Sequence, residues 1–172
     1  MTQTLAPRLA VGVRPYRAAD HNACRRLWAE LVEQQWEFYG GDDGSDPGAG
    51  FEEYLTRLDL AGMWVADDNG VVGLIGLVLG DAGGAVDPVV VAGRRRSEGI
   101  GRALLTHVAE QARIRGLREL TISPAWRNVE AIHCLNAAGF DVLTNVTLAM
   151  RLDGRAGNLQ PGPSLHDRDF RC

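Results

Sequence analysis

Between Gly93 and Arg102 the chain reads Gly-Arg-Arg-Arg-Ser-Glu-Gly-Ile-Gly-Arg, a spacing suited to holding an anion. Gly99 and Gly101 leave two positions without bulk, so a ligand can come close to the backbone. From Ile100 the apolar residues Leu104, Val108 and Ala112 recur every fourth position, which predicts an amphipathic helix. Its N-terminus offers unpaired N–H groups and the positive end of a dipole, and both favour a pyrophosphate. Upstream, Asp87 precedes Pro88, a pairing common where a loop or turn ends. Three cysteines, Cys24, Cys134 and Cys172, are odd in number and far apart, which predicts free thiols and no metal site.

Two familiar phosphate loops fail on their details. A P-loop needs a lysine after its last glycine, whereas Arg102 follows Gly101 and all 18 basic residues are arginine. A dinucleotide fingerprint needs a third small residue where Leu104 stands, and an acidic residue closing the next strand, which is absent near Ser123.

The elements that must position this loop can be read from the chain. Val86 to Ala92, rich in β-branched residues, predicts a buried strand leading into it. Before that come an edge strand at 11–16 and a helix capped by Asp20 that carries Cys24, Leu27, Trp28, Leu31 and Gln35 to about Phe38. A glycine-rich loop (40–50) and a short helix (51–58) follow. Strands at 63–66 and 71–79 flank the Asn69-Gly70 turn. After the central helix, a strand at 120–123, a helix at 129–138 and a hairpin of 140–143 with 146–152 are expected. The order is β-α-α-β-β-β-α-β-α-β-β. Residues 1–10 read as a loose lead-in, and 153–172, rich in Gly, Pro, Arg and Asp, as a disordered tail. One α/β domain over 1–152 is therefore expected.

Arg96-Ser97-Glu98-Gly99-Ile100-Gly101 resembles the Arg/Gln-x-x-Gly-x-Gly/Ala loop of the GNAT N-acetyltransferase superfamily, and the element order resembles that family's over roughly residues 11–152. Asn128 to Phe140 resembles its second signature, Asn-x-x-Ala-x-x-x-Tyr-x-x-x-Gly-Phe, with Leu135 in the tyrosine position. The resemblance implies a mixed, mostly antiparallel sheet flanked by helices. It also implies acetyl-CoA as acyl donor and transfer to a primary amine; a CoA-binding module with little turnover is the alternative.

Residue by residue, the resemblance puts the pyrophosphate on amides of Arg96, Ser97, Glu98, Gly99, Ile100, Gly101 and Arg102. It puts the pantetheine arm along Val89, Val90 and Val91, with the Val91 N–H as an oxyanion donor. Asn128 would hydrogen-bond the arm, or else simply cap its helix. Asp87 lies where histone-acetylating members carry a glutamate base. Cys134, beside Leu135, is expected to pack in the core.

Nine acids stand between Ala29 and Leu60, with Arg57 the one base among them. In the family this segment walls the acceptor side, so a cationic amine is expected there, met by Trp28, Glu33, Trp36 and Glu37. Seven arginines between Arg94 and Arg118 would face phosphates. The net charge of -4 argues against nucleic acid as a partner, and no apolar run predicts a membrane span or signal core, so cytoplasm is the expectation. A homodimer is a further expectation.

Overall fold

The structure, a computed structural model, describes residues 11–81, 83–152 and 159–172; the lead-in expected at 1–10 lies outside them. The chain divides into two compact units, Met1–Ser123 and Pro124–Cys172.

The first unit is a five-stranded sheet in the order β1-β2-β3-β4-β5: β1 (Gly12–Pro15), β2 (Leu60–Asp67), β3 (Val71–Leu79), β4 (Gly84–Val91) and β5 (Leu120–Thr121). The first four strands pair antiparallel and β5 joins β4 in parallel. β3 is an almost unbroken apolar run because both of its faces are covered. On one face α1 (His21–Tyr39) and α2 (Gly50–Tyr54) bring Cys24, Leu27, Phe51 and Tyr54 onto Leu74, Val78, Val90 and Ala92. On the other lies α3 (Ile100–Ile114), whose Ile100, Leu104, Leu105, Val108 and Ala112 are buried as the four-residue period requires. Gly73 lets α3 approach: a Cβ there would stand 2.9 Å from Leu104 Cδ1.

The Asn69-Gly70 turn joins β2 to β3 with positive φ at both residues, 53° and 137°. Asp20 does not cap α1 through its side chain. It is buried, and its carboxylate takes both Arg14 Nη atoms, at 2.8 and 2.9 Å, and the Arg17 N–H at 2.8 Å. Arg14 also donates to Asp67 from Nε at 2.8 Å. That guanidinium holds the Asp20 carboxyl below its usual range and ties β1, the end of β2 and the start of α1 together.

The second unit contains α4 (Val129–Ala137) and a hairpin, β6 (Pro161–Leu165) with β7 (Arg168–Arg171). The hairpin corrects the expectation of a disordered tail; residues 153–158 lie outside the described residues. His166 and Asp167 both take positive φ, 48° and 60°, the two-residue turn that matches strand twist. Two prolines in β6 and the lack of an Asn-Gly pair hide it in the sequence.

The hairpin expected at 140–143 and 146–152 is absent. That stretch has no strand partner among the described residues, and Val142, Leu143, Leu148, Met150 and Leu152 are exposed. Alternation marks a segment able to be a strand, but a strand forms only where a ladder receives its N–H and C=O groups.

Candidate active site

The loop between β4 and α3 begins as a turn of 3-10 helix, Gly93–Arg95. Beyond it, the backbone amides from Arg96 to Arg102 have no hydrogen-bond acceptor among the described residues. The first helical bond of α3 is Ala103 N–H to Gly99 O, at 3.0 Å. Ser97 and Gly99 take positive φ, 64° and 82°, so the main chain bends twice within this row of amides. The two glycines differ in kind. Gly99 is explained by its left-handed backbone, whereas at Gly101 a Cβ would find only an ordinary 3.8 Å contact with Val91. Packing does not demand a glycine at 101.

Next to the loop the sheet is open. β4 and β5 pair only at Gly84–Leu120 and Ala85–Thr121. The Ala92 N–H bonds Val72 O at 2.9 Å, so strand alternation turns the N–H and C=O of Val90 toward β3 as well. Those of Val89 and Val91 point to the β5 side, where no strand meets them among the described residues. Val90 differs from its neighbours: its main chain serves the β3 ladder and its side chain is buried.

Asp87 sits where β4 bulges. Ile75 faces Val89 and Leu77 faces Val86, so Asp87 and Pro88 together oppose Gly76. The Asp87 carbonyl accepts the Tyr54 hydroxyl at 2.5 Å, and its exposed carboxylate takes Arg57 Nη1 at 3.1 Å. Burial pushes the Tyr54 phenol well above its ordinary value, with the Asp87 charge adding to it. Arg57, paired also with Asp59, was not foreseen as the partner of Asp87.

The acidic segment is less acidic than it reads. Arg25, outside the segment in sequence, pairs with Asp46 and Glu52, and Glu30 accepts the Gly93 N–H at 2.8 Å. Glu33, Glu37, Asp42, Asp43 and Glu53 have no basic partner among the described residues. Trp28, half-buried, packs toward α2: its ring lies 5.8 Å from Phe51 and 5.0 Å from Tyr54. Trp36 lies against Gly41, and Glu33 and Glu37 are exposed on the α1 face that carries Glu30.

In the second unit, Asn128 caps α4, its Oδ1 accepting the Ala131 N–H at 3.1 Å. Leu135 is buried, while Cys134, expected inside, is exposed. Burial raises the Cys24 thiol to about 12, which makes it an inert core residue. Among the described residues no cluster of His, Cys, Asp and Glu could hold a metal, and no helix is long and apolar enough to cross a membrane.

A strand opening thus lies beside an amide-lined loop at a helix N-terminus. The family model for the acetyltransferase (GNAT) family matches residues 22–140, and the chain belongs to that family. No curated protein sequence matches it. Among solved structures it is similar to a transcriptional regulator from Bacillus halodurans, with 19% identity, 82% of this chain and 99% of that one covered, and a TM-score of 0.62. It is likewise similar to a putative acetyltransferase from Agrobacterium tumefaciens, with 22% identity, coverage of 81% and 99%, and a TM-score of 0.61. A third is AAC(6')-Iy in complex with a bisubstrate analog, CoA-S-monomethyl-acetylneamine, with 17% identity, coverage of 82% and 97%, and a TM-score of 0.59. These likenesses establish the fold, a mixed and mostly antiparallel α/β sheet flanked by helices.

Proposed function

We propose that this chain is an acetyl-CoA-dependent N-acetyltransferase acting on a primary amine carried by a cationic small molecule or peptide. The observation that carries the reading is the row of unsatisfied amides from Arg96 to Arg102 beside the unpaired edge of Val89 and Val91. The first suits a diphosphate and the second an amide-bearing arm that can add to the edge like a strand. A bound acetyl-CoA supplies an activated thioester carbonyl. The chain's own part is to orient that carbonyl, with the Val91 N–H directed at its oxygen, and to receive the amine.

In the transfer, the amine nitrogen bonds the carbonyl carbon, the C–S bond breaks, the thiolate leaves and the amine loses a proton. An alkyl ammonium titrates at about 10.4, so it must be deprotonated before attack at neutral pH. Asp87 is our candidate acceptor of that proton. Arg57 occupies Oδ2 and leaves the other oxygen to act directly or through a water. Glu33 and Glu37, with Trp36, are the acceptor-side residues, and their unneutralised charge favours a cation. Asn128 is assigned as a helix cap that needs no ligand. The reading carries with it a cytoplasmic protein and a homodimer.

Leu135, where the family's tyrosine stands, has no proton to give, and this favours a second reading of CoA binding without turnover. Measuring free thiol released from acetyl-CoA over an amine panel separates the two. We expect release with a polyamine or aminoglycoside, faster at low salt than at high. Binding of acetyl-CoA without thiol release would establish the second reading, and equal rates for acidic and cationic acceptors would overturn the acceptor class.

A further inference from the structure

The amide-lined loop is glycine-containing and joins a regular element only at the first turn of α3, yet contacts from separate elements fix its path. From α1, Glu30 Oε2 accepts the Gly93 N–H at 2.8 Å, the first amide of the loop. From the β2–β3 turn, Asp68 Oδ2 accepts Arg95 Nη2 at 2.8 Å. Arg95 Nε donates to Glu98 Oε2, inside the loop, at 2.7 Å. The Arg95 side chain is only 24% exposed, whereas Arg94, Arg96 and Arg102 are exposed and have no acidic partner among the described residues. The arginines of this run thus divide: one is spent on shape, and the others are left for charge.

We propose that Glu30, and Asp68 acting through Arg95, are positioning residues of the anion loop, which keep its amides in binding-ready order without touching the ligand. The proposal rests on reading the loop as the diphosphate site of CoA. Amides bind an anion strongly only when they are oriented before it arrives; an unpinned loop must be ordered at the moment of binding. Both anchors are carboxylates standing near an anion site, where charge alone makes them unfavourable. Shape and charge therefore predict opposite signs when either is removed, and this makes the idea testable.

The experiment is calorimetric titration of CoA into the wild type, Glu30→Met, Glu30→Gln and Asp68→Ala. Thermal melts check that each variant is folded at the titration temperature. Glu30→Met and Asp68→Ala each delete a carboxylate and should weaken CoA by about tenfold, the scale of one charge-assisted hydrogen bond turned into lost order. Glu30→Gln keeps an oxygen for the Gly93 N–H and should bind within about twofold of wild type, since the acceptor geometry is what matters. Unchanged or tighter binding in Glu30→Met or in Asp68→Ala overturns that anchor. Equal losses in Glu30→Gln and Glu30→Met overturn a positioning role for Glu30. If the wild type itself fails to bind CoA, the diphosphate reading of the loop falls and the proposal falls with it.

Discussion

At the scale of single residues, the clearest testable group is His107 on α3. Its Nε2 is buried without a hydrogen-bond partner, and its ring meets the edge of Trp64 at 5.4 Å between centroids. Arg115 lies over the same indole, 5.6 Å from its ring centre, so a second cation there would be unwelcome. Burial lowers the imidazole below its ordinary 6.5. A lowered value in the folded state means that the unfolded chain takes up the proton first. Stability is therefore full above about pH 6.5 and is lost as the pH falls through the gap between the two values. His107→Leu should flatten the fall in Tm between about pH 7 and pH 5, because it removes the group that unfolding lets protonate. A wild-type Tm constant over that range, or an unchanged slope in the variant, would refute the assignment.

At the scale of elements, the bulge of β4 is the feature that a substitution can interrogate. A Cβ on Gly76 would lie 1.9 Å from the Tyr54 hydroxyl and 2.4 Å from the Asp87 carbonyl oxygen. The hydroxyl can move, but the carbonyl is main chain. Gly76→Ala should cost about 2–4 kcal/mol in urea unfolding, the range of overpacking joined to a broken buried hydrogen bond. Tyr54→Phe alone should cost about 1 kcal/mol, and adding it to Gly76→Ala should recover part of the alanine's penalty, since it removes one of the two clashes. Gly101→Ala, with its single 3.8 Å contact, is the matched control and should be near neutral. A Gly76→Ala variant as stable as that control would mean that the bulge is not held in this way.

The same elements mark what was legible in advance. The period of Ile100, Leu104 and Val108, the glycines after β4 and the Asn69-Gly70 turn are local signals, and each is borne out by an element of the sheet or the helix beside it. Arg25 with Asp46 and Glu52, Arg57 with Asp87, and Glu30 with Gly93 are pairs made by packing distant segments, so no local pattern announces them. For Trp28, a helical face reads alike whether its aromatic ring meets a ligand or α2. Only the tertiary fold decides.

At the scale of the whole molecule, the segment 142–152 stands out. Val142, Leu148, Met150 and Leu152 share one alternating set and are between 66% and 88% exposed. Apolar side chains exposed in strand-like alternation promote association between chains. We expect the elution volume to fall and the light-scattering mass to rise with protein concentration. Leu148→Asp with Met150→Asp should hold the chain monomeric without loss of helical signal. A wild type of constant monomer mass across concentrations would dispose of this expectation.

The loop from Arg96 to Arg102 has a consequence for how such a chain can change over generations. In the proposed site its binding groups are amides, and every residue except proline supplies the same one. Apart from buried Ile100 and the Glu98 that Arg95 holds, side chains along it can be exchanged so long as the path of the main chain survives and no bulk enters at Gly101. Selection on ligand binding then acts on conformation rather than on composition, and chains can drift far apart while keeping one cleft. Identities of 17% to 22% at TM-scores near 0.6, over four-fifths of this chain, show how far composition can change while one fold is kept.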